Sequence, residues 1–141
     1  MGKNFNGAYF NQSPTVAEAA GAEIADVRNR ILKYDSNGAV VLATAGTDIP
    51  LGIAIIEAGC NDITGAESGK IAKGDVVDIL IKDIGFVIAN TSIKKGQEVA
   101  AGENGEAVVA SASNYVLGIA LNNVEKNGYC KVQINKYQKG A

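Results

Sequence analysis

Tyr129-Cys130-Lys131-Val132-Gln133-Ile134 decides how this chain is to be read. Cys130, Val132 and Ile134 fall on one side of an extended backbone, and Tyr129, Lys131 and Gln133 fall on the other. Alternation with period two is the mark of a half-buried antiparallel strand. Val77, Ile79 and Ile81 repeat the pattern, with Asp78 and Lys82 among their outward neighbours. From Ile31 onward, short Val- and Ile-rich runs alternate with Gly, Asn, Asp and Lys clusters. The expected strands are 31–34, 38–44, 51–56, 75–82, 85–89, 97–100, 106–111, 115–121 and 129–137. Ser36-Asn37-Gly38, Lys95-Gly96, Glu103-Asn104-Gly105 and Asn127-Gly128 supply the turns between them. Strands spaced about ten residues apart, without long helices between them, predict a mainly β fold, an antiparallel barrel or sandwich.

The chain also repeats itself. Asn37-Gly38-Ala39-Val40-Val41 returns as Asn104-Gly105-Glu106-Ala107-Val108-Val109, and Leu51-Gly52-Ile53-Ala54 returns 66 positions later as Leu117-Gly118-Ile119-Ala120. Gly74-Asp75-Val76 matches Gly128-Tyr129-Cys130 at an offset of 54, which places a 12-residue insertion within 57–73 of the first copy. One β unit used twice predicts a barrel with approximate internal two-fold symmetry. Glycine inside a strand marks a bulge, a bend or a close backbone approach; at Gly52 and Gly118 the expectation is a barrel corner.

Upstream of the β pattern, 1–12 is polar and glycine-bearing but carries Phe5, Tyr9 and Phe10, three of the eight aromatic residues. It reads as an arm. Over 13–30 the spacing predicts a short helix: Ser13 as cap, Pro14 in the first position, Thr15 and Glu18 at capping-box separation. Val16, Ala19, Ala20, Ile24 and Val27 recur at steps of three and four. Gly21 weakens that reading, and the same segment can instead run extended against a neighbour. The organisation expected is therefore an N-terminal arm and short helix over 1–30, followed by a β-barrel domain over 31–141.

Composition narrows the function. The 141 residues carry a formal net charge of -2, and 47% are hydrophobic. Neither a nucleic-acid-binding face nor a membrane-surface attraction is supported. No apolar run approaches the roughly 18 residues of a membrane helix. Met1 to Gln12 lacks the apolar region of a secretory signal, so synthesis in a cytoplasm is expected. Histidine is absent, which removes the usual general base near neutral pH and the commonest metal ligand. Gly65 to Ile71 imitates a phosphate loop, but its glycines are one residue too close and Ile71 stands where a magnesium-holding hydroxyl is needed. Cys60 has no local cation to lower its pKa, and Cys60 and Cys130 read as free thiols. No catalytic, cofactor-binding or metal-binding residues are expected. The candidate interface residues are Asn4, Phe5, Tyr9 and Phe10, since aromatic side chains are the usual interface anchors. Cys60, Asn61, Asp62 and Glu67 in the insertion form a second candidate set.

Gly74 to Ile79, Gly85 to Ala89, Ile93-Lys94-Lys95-Gly96-Gln97-Glu98-Val99, Gly105 to Val109, Leu117 to Leu121 and the closing strand from Gly128 to Tyr137 together resemble the capsid decoration (cement) proteins of tailed bacteriophages. The resemblance covers about 30–137, most clearly 70–137. It implies a small non-catalytic β-barrel protein on the outer surface of the mature head. It further implies binding to the major capsid protein, a homo-oligomer that is commonly a trimer, and reinforcement of the shell. The N-terminal region would make capsid or inter-subunit contacts. The protein would be made in the bacterial cytoplasm and end in the virion. A surface carbohydrate-binding or adhesion module is the alternative, with Tyr34, Tyr115, Tyr129 and Tyr137 as stacking residues.

Overall fold

The computed structural model describes residues 13–55 and 69–141. Among these, the chain forms ten strands: β1 (Thr15–Ala19), β2 (Ile31–Tyr34), β3 (Val40–Leu42), β4 (Gly52–Ala54), β5 (Val76–Leu80), β6 (Ile84–Ile88), β7 (Glu98–Ala101), β8 (Ala107–Val109), β9 (Tyr115–Ala120) and β10 (Tyr129–Gln138). They build two five-stranded antiparallel sheets, ordered β1-β5-β4-β2-β3 and β6-β10-β9-β7-β8. Adding five to each label of the first sheet gives the second. The mainly β expectation holds, and the sheets remain two open layers with no barrel closure.

The repeat extends to register. Thr15 faces Leu80 as Ile84 faces Gln133, Leu32 faces Gly52 as Val99 faces Gly118, and Tyr34 faces Val40 as Ala101 faces Ala107. Isolated bridges repeat as well: Ile24 to Ile71 and Ile93 to Val124. These pairings set the offset between β5 and β10 at 53, one less than the sequence match suggests. The shared feature is a left-handed turn residue, Gly74 (φ 92) in one unit and Asn127 (φ 71) in the other. Each donates its N–H across the sheet, to Ala20 O and to Ala89 O.

The short helix expected within 13–30 is corrected: Thr15–Ala19 is a strand paired along its whole length with β5. Ser13 Oγ accepts a hydrogen bond from Thr15 N at 3.3 Å in a local turn instead of capping a helix, and Glu18 accepts from the Tyr34 hydroxyl. The helix-like spacing has another cause. Val16, Ala20, Ile24 and Val27 all pack into the first core, but they reach it along an extended strand and the turns that follow it. β-branched Thr15 and Val16 suit such a strand.

Each unit has its own core. Val77, Ile79, Leu32, Val40 and Ile24 fill the first; Cys130, Val132, Val99, Ala107 and Ile93 take the same places in the second. Cys130 thus substitutes for Val77 as a small hydrophobe. It is a free, fully buried thiol whose pKa burial pushes up to about 11. At pH 8 only about one such thiol in a thousand is ionised, and the thiolate is the reactive form. In a Cys60→Ser variant, iodoacetamide should therefore label Cys130 only after denaturation. Labelling of the native protein at the rate of a free thiol would contradict the buried placement.

The expected two-fold repeat is present, and the two units meet through unlike faces. Ile31, Ala43 and Ile53 of the first unit join the core cluster of the second. Their counterparts on the second unit's own outer face are Glu98, Ala110 and Ile119. Glu98 is held there by Lys139 at 2.9 Å and by the Tyr137 hydroxyl, both from the end of the chain. At the seam, Asn29 Nδ2 donates to Phe86 O and Ile88 N donates to Asn29 O, each at 3.0 Å. Arg30 Nη1 meets Glu106 Oε1 at 3.4 Å and donates to Asn104 O at 3.1 Å.

Candidate interaction surfaces

Nothing in the described residues gathers reactive chemistry. No group of three His, Cys, Asp or Glu side chains there could hold a metal ion. The carboxylates serve local structure. Asp48 accepts from Thr44 N, Ala45 N, the Thr44 hydroxyl and Lys33 Nζ. Partial burial pushes the Asp48 pKa up, but those donors outweigh it and hold the carboxyl below its ordinary value. Asn114 does the equivalent work in the second unit, accepting from Ser111 N at 2.9 Å. Asp26 is held low by its hydrogen bonds with Arg28. These are fixed loops with their charges satisfied.

The candidate interface residues Asn4, Phe5, Tyr9 and Phe10 lie outside the described residues, as do Cys60, Asn61, Asp62 and Glu67. The four tyrosines of the carbohydrate alternative do not form one group, although Tyr115 on β9 pairs with Gln138, next to Tyr137. Tyr34 lies on β2 in the first sheet, with its phenol bonded to Glu18. Tyr137 lies near the end of β10, bonded to Glu98. Carboxylate partners push both phenol pKa values up. Tyr129 opens β10, eight residues from Tyr137, or about 26 Å along a strand.

One surface stands out that strand spacing alone does not reveal. Ile84, Phe86 and Ile88 share the outward face of β6, opposite the inward Gly85 and Val87. Ile84 is 50%, Phe86 48% and Tyr129 54% exposed. Together with Ile53, Leu80 and Gly85 they line an open groove of about 500 Å³ along the seam. A Cβ on Gly85 would stand 2.4 Å from Leu80 Cδ2, so this glycine sets the depth of the groove. The signal was in the sequence: Ile84-Gly85-Phe86-Val87-Ile88 contains no polar side chain, whereas a strand with one solvated face should alternate.

A duplicated two-sheet scaffold, with satisfied loop charges and an apolar outer strand, has the character of an assembly component. Comparison with known proteins identifies the assembly. Residues 1–137 match the family described as XM1 gp53 minor capsid protein. The chain belongs to this family, and so is a phage capsid-associated structural protein with a virion-associated location. The head fiber gp8.5 N base of bacteriophage phi29 has a similar fold, with a TM-score of 0.63 at 21% identity. That match covers 90% of this chain and 98% of the other. No curated protein matches the chain.

Proposed function

We propose that the protein attaches to the outer surface of the mature phage head, binds the major capsid protein and stabilises the shell, acting as a non-catalytic homo-oligomer, a trimer. The observation that carries this reading is the family match, which runs from residue 1 through both β units. The arm residues Asn4, Phe5, Tyr9 and Phe10 make the capsid or inter-subunit contact. An arm contact that is weak alone gains avidity when several copies are fixed in one oligomer. With a formal net charge of -2, attachment depends on shape and apolar contact with protein, and nucleic acid has no part in it.

Co-sedimentation with mature heads lacking the protein tests this. Full-length protein should bind saturably and protect the heads against heat. A form lacking 1–12 should bind at least about tenfold more weakly, the loss of roughly 1.4 kcal/mol per site. Binding unchanged by the deletion would move the contact to the β units. Absence of binding by the full-length chain would overturn the decoration reading.

A further inference from the structure

The duplication provides an internal control for β6. Register places Thr15, Ala17 and Ala19 of β1 where Ile84, Phe86 and Ile88 stand in β6. The fold is satisfied with small or polar residues at those positions, so three large apolar ones are not a requirement of the sheet. Apolar side chains grouped beside a groove mark a surface that something covers.

The first described residues lie beside that groove. Thr15 pairs with Leu80, a groove-lining residue, and Ile81 N donates to Pro14 O at 2.9 Å. Ser13 and Pro14 therefore stand next to the turn that leads from β5 to Ile84. Phe10 is three residues before Ser13, a reach of about 10 Å, and Tyr9 is one further. The chemistry also agrees. Among the described residues no charged side chain lines the groove, and the only charged side chain in 1–12 is Lys3. Aromatic rings bury roughly 150–250 Å² each.

We propose that the N-terminal arm, residues 1–12, docks in the seam groove of its own chain, with Phe10 and Tyr9 covering Ile84, Phe86 and Tyr129. The groove then anchors the arm at its base, and Asn4 and Phe5 extend beyond it. This inference narrows the proposed function: the groove holds Tyr9 and Phe10, and of the four arm residues Asn4 and Phe5 are left for the capsid or inter-subunit contact.

The natural chain has no tryptophan, so Phe86→Trp creates a single fluorescent reporter at a half-exposed position that tolerates it. Full-length F86W should emit to the blue of the same variant lacking 1–12, with roughly two-fold less acrylamide quenching as the exposed half of the ring is covered. Adding Tyr9→Ser and Phe10→Ser to full-length F86W should reproduce the deleted spectrum. Ile84→Trp repeats the measurement should F86W fold poorly. Identical emission with and without the arm would overturn the proposal. So would a blue shift that disappears on dilution, because the arm would then come from another copy. A shift insensitive to the Tyr9 and Phe10 changes would overturn the assignment of the rings.

Discussion

Gly118→Ala and Gly52→Ala should each destabilise the protein by about 3 kcal/mol or more, and the corresponding valine substitutions should prevent folding. A Cβ on Gly52 would stand 2.1 Å from the carbonyl oxygen of Leu80. A Cβ on Gly118 would stand 2.0 Å from the carbonyl oxygen of Gln133. Leu80 and Gln133 are themselves equivalent residues of β5 and β10, so the two units make the same contact. The obstacle is backbone, which cannot swing aside as a side chain can. Relief requires moving β4 away from β5, or β9 away from β10, and the ladder hydrogen bonds at the centre of each sheet would stretch. The shared Leu-Gly-Ile-Ala is thus explained by close approach of two strands, where a barrel corner was expected. Urea denaturation followed by circular dichroism is the check. A loss below about 1 kcal/mol for either alanine variant would mean that the strands are free to part there.

Most of this scaffold was legible because its strands announce themselves. Val- and Ile-rich runs bounded by Asn-Gly and Lys-Gly mark β2 through β10. The repeated Leu-Gly-Ile-Ala marks the duplication because the backbone constraint admits only glycine in both copies. The first strand was not legible. Thr15-Val16-Ala17-Glu18-Ala19 shares no residue with its counterpart Ile84-Gly85-Phe86-Val87-Ile88 at any position, since an edge strand needs only extended backbone and one adequate face. Matching identical residues also misplaced the β5–β10 offset by one, because Gly74 and Asn127 solve the same left-handed turn with different side chains. The seam was the least legible part. A strand shows which residues point in and which point out, but not which outward face meets another sheet. Ile31 and Ile53 in the first unit become Glu98 and Ile119 in the second, and that contrast acquires meaning only once the units are seen to meet through unlike faces.

Asn29 tests the seam, and the second unit indicates which substitution isolates it. Asn29 adopts φ 57 in the turn before β2, where its N–H donates to Ala54 O at 2.9 Å. Gly96, at φ 86, makes the equivalent bond to Ala120 O at 2.8 Å before β7. Glycine therefore already serves this turn in the other copy. Asn29→Gly keeps the turn and removes only the side-chain amide, which is largely buried and donates to Phe86 O across the seam. The expected loss is about 1–2 kcal/mol, the cost of one hydrogen bond plus a carbonyl left without its partner. Asn29→Val adds a β-branched residue in a left-handed conformation it adopts poorly, and should cost about 3–4 kcal/mol in total. The difference between the variants measures the turn, and the glycine value alone measures the clasp. Because Phe86 and Ile88 flank the clasp on the strand that walls the groove, loss of the Asn29 amide should also raise hydrogen exchange at Ile88 N before global unfolding. If Asn29→Gly were neutral and exchange at Ile88 unchanged, the two units would be held together by the apolar contacts of Ile31, Ala43 and Ile53 and by the remaining polar contacts of Arg30 and the residue 29 carbonyl, without help from the amide.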